Sequence, residues 1–199
     1  YNIYDRQVAN ETVDWLATHG NQEEPWVLFV SMVAPHFPLI APKEFYDLYS
    51  HLDLMPTKPR ENPEHPWHQA MRECQIMDNF TPEKTRVALA SYYGLVTFVD
   101  DLIGKILQVV DQKNLHDNTQ IYYLSDHGDN IGERDFWGKS NFYEESVGVP
   151  CIIKGPDIPA GKICKTPVSL IDIHPTILQT AGIDLGTKPG ASLIKIANA

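Results

Sequence analysis

A short apolar run, Ile121-Tyr122-Tyr123-Leu124, stops abruptly in Ser125-Asp126-His127-Gly128. No other stretch of the chain constrains its fold as tightly. A strand that ends in a carboxylate, an imidazole and a glycine presents metal-capable side chains at its carboxyl end, where open α/β sheets place their ligands. The loop beyond is punctuated by Gly128 and Gly132, and Lys139 follows Asp126 by thirteen residues. Its ammonium is then available to hold an anion beside the metal.

Other apolar runs agree with such a sheet. Trp26-Val27-Leu28-Phe29-Val30-Ser31-Met32-Val33 is continuous and of strand length, the pattern of a parallel strand covered on both faces. It ends in Ala34-Pro35-His36-Phe37-Pro38, where two prolines set an extended turn. Val149–Ile153 reads as another buried strand, which gives Cys151 a packing role. Between the strands lie helical patterns. Residues 5–18 place Val8, Val13, Leu16 and Ala17 on one side. A short helix is expected at 42–50, opened by Pro42. The clearest helix starts at Thr81-Pro82-Glu83, a capping residue and a first-turn proline. Leu89, Tyr93, Val96, Val99, Ile103, Ile106 and Val110 then recur at three- and four-residue steps. The strand Gln120–Leu124 follows, and a last helix at 172–181 is entered through Asp172 and left through Gly182. Strands alternating with helices predict an α/β fold with a mostly parallel sheet sandwiched by helices.

Residues 51–80 break that rhythm. They carry Pro56, Pro59, Pro63 and Pro66 and few periodic apolar positions. The segment reads as a long surface excursion with a short helix near 67–76, of the kind that serves as a lid or specificity loop.

Composition narrows the partners. The 199 residues include 16 Lys and Arg against 26 Asp and Glu, a formal charge of −10. That argues against nucleic-acid or membrane-surface partners, which require a basic face. No uninterrupted run reaches the roughly eighteen apolar residues of a membrane span. A small anionic substrate would therefore need local positive charge from a metal, a lysine or a histidine. Cys74, Cys151 and Cys164 show no CxxC spacing, so neither a zinc site nor a disulfide framework is implied.

Taken in order, several segments resemble one family. Ala34-Pro35-His36-Phe37-Pro38 with Pro42, Phe45 and Tyr49 resembles the Pro-His-x-Pro segment of the sulfatases, within the alkaline phosphatase superfamily. Tyr92-Tyr93, Val99-Asp100-Asp101 and Ile103-Gly104 resemble the family's long helix. Ser125-Asp126-His127-Gly128, Gly132-Glu133, Gly138-Lys139, Tyr143-Glu144 and Val149-Pro150 resemble its second metal-binding segment. Ser169–Asp172 with Pro175, Thr176 and Leu178, then Gly190-Ala191-Ser192-Leu193, complete the series.

The resemblance implies an alkaline phosphatase-like fold and a hydrolase of sulfate esters. It makes Asp126 and His127 ligands of a divalent metal, Ca²⁺ first, with Mn²⁺ or Zn²⁺ in some relatives. Lys139 would contact the oxygens of a sulfate or phosphate ester, and His36 would reach the same anion or protonate the leaving oxygen. Without the family, Lys139 reads as a solvated lysine and His36 as a turn residue. His65 and His68 read as surface-loop residues, His174 as structural, and Asp100-Asp101 as a solvated or core-edge pair. Asp129 follows the two ligands closely enough to support them.

The family's nucleophile is a formylglycine made within Cys/Ser-x-Pro/Ala-x-Arg, and none of the three cysteines lies in that pattern. In the family that segment, and the paired aspartates completing the metal site, precede the part matched by Tyr1–Asn10. Residues 1–199 are accordingly expected to be one partial catalytic domain, the C-terminal part, lacking also the small subdomain that follows Gly-x-Ser-Leu. An incomplete sheet would expose an edge, so self-association is expected. Two alternatives stay open: a phosphonate or phosphodiester hydrolase of the same superfamily, and a non-catalytic anion-binding remnant.

Overall fold

The computed structural model describes residues 1–75, 80–184 and 186–198. The end of the proline-rich excursion, including the last residue of its expected helix, falls on 76–79 and lies outside the described residues.

Helix α1 (Asn2–His19) is longer at both ends than the apolar pattern predicts, and buries Asp5, Ala9, Thr12 and Leu16. Ala17, expected on that face, is exposed. Two of the four buried positions are polar, and an apolar pattern cannot register them. Helix α2 (Lys43–Tyr46) is a single turn, followed by turns to 51. Helix α3 (Pro66–Cys74) lies within the excursion; His65 caps it, its Nδ1 accepting the Trp67 N–H at 3.1 Å.

Helix α4 (Pro82–Gln112) starts as the cap signal predicts, the Thr81 hydroxyl accepting the Lys84 N–H at 3.3 Å. Its buried stripe is rotated from the expected one. Leu95, Phe98 and Leu102 are inside while Tyr93 and Val96 are exposed, because α1 and α2 pack on the face carrying Leu95 and Phe98. One core cluster joins Ala9, Ala34, Leu95, Phe98, Val99 and Leu102. A second joins Leu16, Val109, Val110 and Leu115, with Trp26 and Ile121 packed against it. By length and composition α4 is apolar enough to cross a membrane; Phe98 and Leu102 on it are buried in the core.

Strands β1 (Ile121–Leu124) and β2 (Cys151–Lys154) pair with Leu124 opposite Cys151. The pair is antiparallel, unlike the parallel relation expected. The connection from 125 to 150 contains only a 3₁₀ turn at Glu133–Asp135 and the one-turn helix α5 (Glu144–Val147). It folds back on itself where a parallel pair needs a crossover. Cys151 is exposed, not packed in a core, because two strands cover little of each other. Trp26–Val33 is extended but not a strand: no described residue pairs with it, and a strand is defined by its ladder. Val27 is 70% and Phe29 88% exposed, the alternation of a strand with one uncovered face.

A 3₁₀ turn (Leu170–Asp172) leads into helix α6 (Ile173–Thr180), and helix α7 (Leu193–Asn198) closes the chain. Asp172 ties these parts together. Its carboxylate accepts the N–H groups of Ser169 at 2.8 Å and Ala191 at 2.7 Å, while the Thr176 hydroxyl accepts the Leu193 N–H at 2.8 Å.

Candidate anion and metal site

Three separate segments bring the four expected residues together. The turn after 33 delivers His36, the end of β1 delivers Asp126 and His127, and the loop that follows returns Lys139. The His36 and His127 rings lie 6.3 Å apart. The Lys139 ammonium touches His127 Nε2, and Asp126 Oδ2 is 3.4 Å from the same nitrogen.

The turn at Asp126-His127-Gly128 is built by its own polar atoms. Asp126 Oδ1 accepts the His127 N–H at 2.9 Å, and the Ser125 hydroxyl donates to the His127 carbonyl at 2.9 Å. Gly128 is required by close approach: a Cβ there would lie 2.0 Å from the Glu145 carbonyl oxygen, and its N–H donates to Ser146 O at 2.8 Å. The turn is thereby seated on α5.

Lys139 is returned by a clasp. Asp129 Oδ1 accepts the N–H groups of Ile131 at 2.8 Å and Gly138 at 2.9 Å. Asn130, fully buried, sends both its backbone and side-chain N–H to the Gly138 carbonyl, at 2.8 and 2.6 Å. Asp129 thus shapes the loop through backbone amides. Asn130 escaped the sequence reading, its one signal being an amide wedged between Asp129 and the glycine-punctuated loop.

The excursion straps this loop from outside. Glu133 accepts the Thr57 and Lys58 N–H groups, and the Trp67 indole donates to the Ser140 carbonyl at 3.2 Å. Arg72, paired to Glu64 at 2.7 Å, stacks 3.9 Å from the Phe136 ring centre. Glu145 meets both Lys58 and Arg134. Burial would raise its carboxyl, but the two cations outweigh that and hold its pKa at about 2. His65 serves as a helix cap. His68 packs between Phe136 and Tyr143, whose hydroxyl lies 3.0 Å from its Nδ1. Asp101 pairs with Lys105 on α4, at 2.7 Å, and His174 sits in the first turn of α6.

Asp126 and His127 suit a cation. His127 Nδ1 lies 2.8 Å from the Gly128 carbonyl, so it carries the proton and Nε2 offers its lone pair, as a metal-bound imidazole does. That lone pair already faces a positive charge, the Lys139 ammonium. The Asp126 side chain is 81% exposed and free to turn an oxygen toward the same point. Among the described residues no third His, Cys, Asp or Glu joins them in a cluster.

Comparison with known proteins gives this arrangement its place. Residues 1–183 match the family model described as Sulfatase. A choline-sulfatase of Rhizobium meliloti is 32% identical over 98% of this chain and 41% of its own length. An arylsulfatase of Clostridium perfringens is 31% identical over 89% of this chain and 38% of its own length. Among solved structures, a phosphonate monoester hydrolase from Silicibacter pomeroyi superposes with a TM-score of 0.84 at 28% identity. It covers 96% of this chain and 41% of that one. The chain belongs to the sulfatase family, in the alkaline phosphatase superfamily, and its α/β fold is alkaline phosphatase-like. It spans about two fifths of the length of these relatives.

Proposed function

We propose that these residues form the anion-holding side of the pocket of a metal-dependent sulfatase-type hydrolase that cleaves sulfate esters. The observation that carries the reading is the meeting of His36, Asp126, His127 and Lys139 from three segments of one chain. Asp126 and His127 would hold a divalent cation. The hard carboxylate favours Ca²⁺, and the imidazole admits Mn²⁺ or Zn²⁺. When bound, the cation would polarise the anionic group of a small ester.

Lys139 leaves the imidazole and donates to the ester's oxygens, offsetting the negative charge that grows there during displacement. His36, whose Nδ1 proton is held by the Phe37 carbonyl, reaches the same anion through Nε2; with a second proton there it donates to the anion or to the departing oxygen. In this reading the nucleophile is a formylglycine from a segment outside these residues, and the 199-residue chain alone turns over no ester. Metal-dependent hydrolysis of an aryl sulfate that disappears in Asp126→Ala would overturn that requirement.

A phosphonate or phosphodiester substrate is the second reading. It is supported by the likeness to the phosphonate monoester hydrolase, which is 28% identical to the chain at a TM-score of 0.84. Calorimetric titration with inorganic sulfate and inorganic phosphate, in the presence of Ca²⁺, separates the two. Lys139→Ala should weaken whichever binds by about tenfold, the worth of one charge-assisted hydrogen bond. Equal binding by wild type and variant would sink the assignment of Lys139. The open face at Val27 and Phe29 also implies self-association; a single monomeric species in sedimentation would count against it.

A further inference from the structure

We propose that Asp5 is the positioning residue for His36, an assignment that rests on His36 facing the anion. Asp5 lies in the first turn of α1 and has no exposed surface. A carboxylate this deep is tolerated only where its oxygens are hydrogen-bonded. Oδ1 accepts the Val33 N–H at 2.8 Å and Oδ2 the Ala34 N–H at 2.9 Å. The positive end of α1 favours the charge as well.

Packing alone does not call for an acid here. Ala9 already joins the core cluster around Phe98, and Leu16 the one around Val109, so α1 is seated without Asp5. What Asp5 adds is a grip on two consecutive amides, and those amides open the turn that ends at His36. The His36 N–H closes this turn on the Val33 carbonyl at 3.0 Å. The imidazole then stacks on Phe37, ring centres 4.4 Å apart, with Nδ1 2.8 Å from the Phe37 carbonyl. From the carboxylate to the imidazole the path is two hydrogen-bonded amides and one closed turn. Removing the carboxylate leaves Val33 and Ala34 without their acceptor, and the turn free to tilt the ring away from His127.

The test uses the whole chain with Asp5→Asn and Asp5→Ala. A carbonyl only accepts, so His36 bonded to Phe37 O carries its proton on Nδ1, a tautomer that long-range proton–nitrogen spectra of the imidazole report. Both variants should move the His36 ring signals toward those of a free imidazole while His116 and His174 keep theirs. In titrations with inorganic sulfate, Asp5→Ala should weaken binding by about three- to tenfold. The double variant Asp5→Ala/His36→Ala should bind no more weakly than His36→Ala alone, since a residue acting through another adds nothing once that other is gone. Unchanged His36 signals, or losses that simply add, overturn the proposal. If wild type binds no sulfate, the anion reading falls while the ring signals still decide for or against Asp5. Should Asp5→Ala fail to fold, Asp5→Asn, which keeps the size and one acceptor, carries the same two measurements.

Discussion

The turn carrying His36 and the loop carrying Lys139 meet at His127, yet they are held by opposite means. The turn is fastened from beneath: Asp5 grips its first amides, and Ala34 belongs to the core cluster around Phe98. The loop, clasped from within by Asp129 and Asn130, is also strapped from outside by Glu133, Trp67, Arg72 and the Glu145 pair with Lys58. Buried hydrogen bonds are shielded from salt, while the Lys58–Glu145 pair, whose lysine is about half exposed, responds to it and its carboxylate to pH. If the turn and the loop are the two arms of one site, as proposed, they should fail under different conditions.

The largest separation should come from the core. Phe98→Ala, at a residue with no exposed surface, should cost about 3–5 kcal/mol of stability and loosen the His36 turn first. Urea unfolding giving under about 1 kcal/mol would show that this cluster does not anchor the turn. Next is Gly128→Ala, whose new Cβ meets the Glu145 carbonyl; a loss of about 1–3 kcal/mol is expected, with the Lys139 side disturbed and the His36 ring signals intact. Disturbance of both arms would erase the distinction.

A smaller effect belongs to Glu145. Its pKa is held at about 2 against an ordinary 4.5, so its contribution is complete above pH 4.5 and lost as pH falls toward 2. Glu145→Gln should flatten the stability profile in that window only, a point that thermal unfolding across pH 2–6 checks directly. An unchanged acid limb would show that the strap contributes nothing to the fold. The smallest effect is that of Ca²⁺. Two ligands fill little of a hard ion's coordination shell, so millimolar Ca²⁺ should shift the melting temperature by no more than about 1–2 °C. Submicromolar affinity by calorimetry would mean that other residues complete the shell.

Much of the candidate site is legible because its signals are local. A strand ending in Asp126-His127-Gly128, prolines flanking His36 and a glycine before Lys139 each mark a turn, and their order marks the family. Helix α4 was legible from its cap and period, but which face it buries was not, since that depends on where α1 and α2 sit. The direction of the β1–β2 pair and the lack of a strand partner for Trp26–Val33 among the described residues are likewise facts about neighbours. The excursion reads as a surface lid or specificity loop, and its prolines give no hint that Thr57, Trp67 and Arg72 bind the Lys139 loop. Asp5 was hidden for a related reason: in sequence, an acid in a helix's first turn looks like any favourable surface residue.

The clasp on Gly138 has one more consequence. Asn130 and Asp129 immobilise the backbone one residue before Lys139, while the side chain beyond it is exposed and ends on an imidazole. The lysine is a flexible boom on a rigid post. In the proposed reading its charge swings from His127 to an arriving anion by rotation of its methylene stem, with no rearrangement of the loop. Return of the ammonium to His127 after a ligand leaves would then take only the picosecond-to-nanosecond time of a side-chain flip.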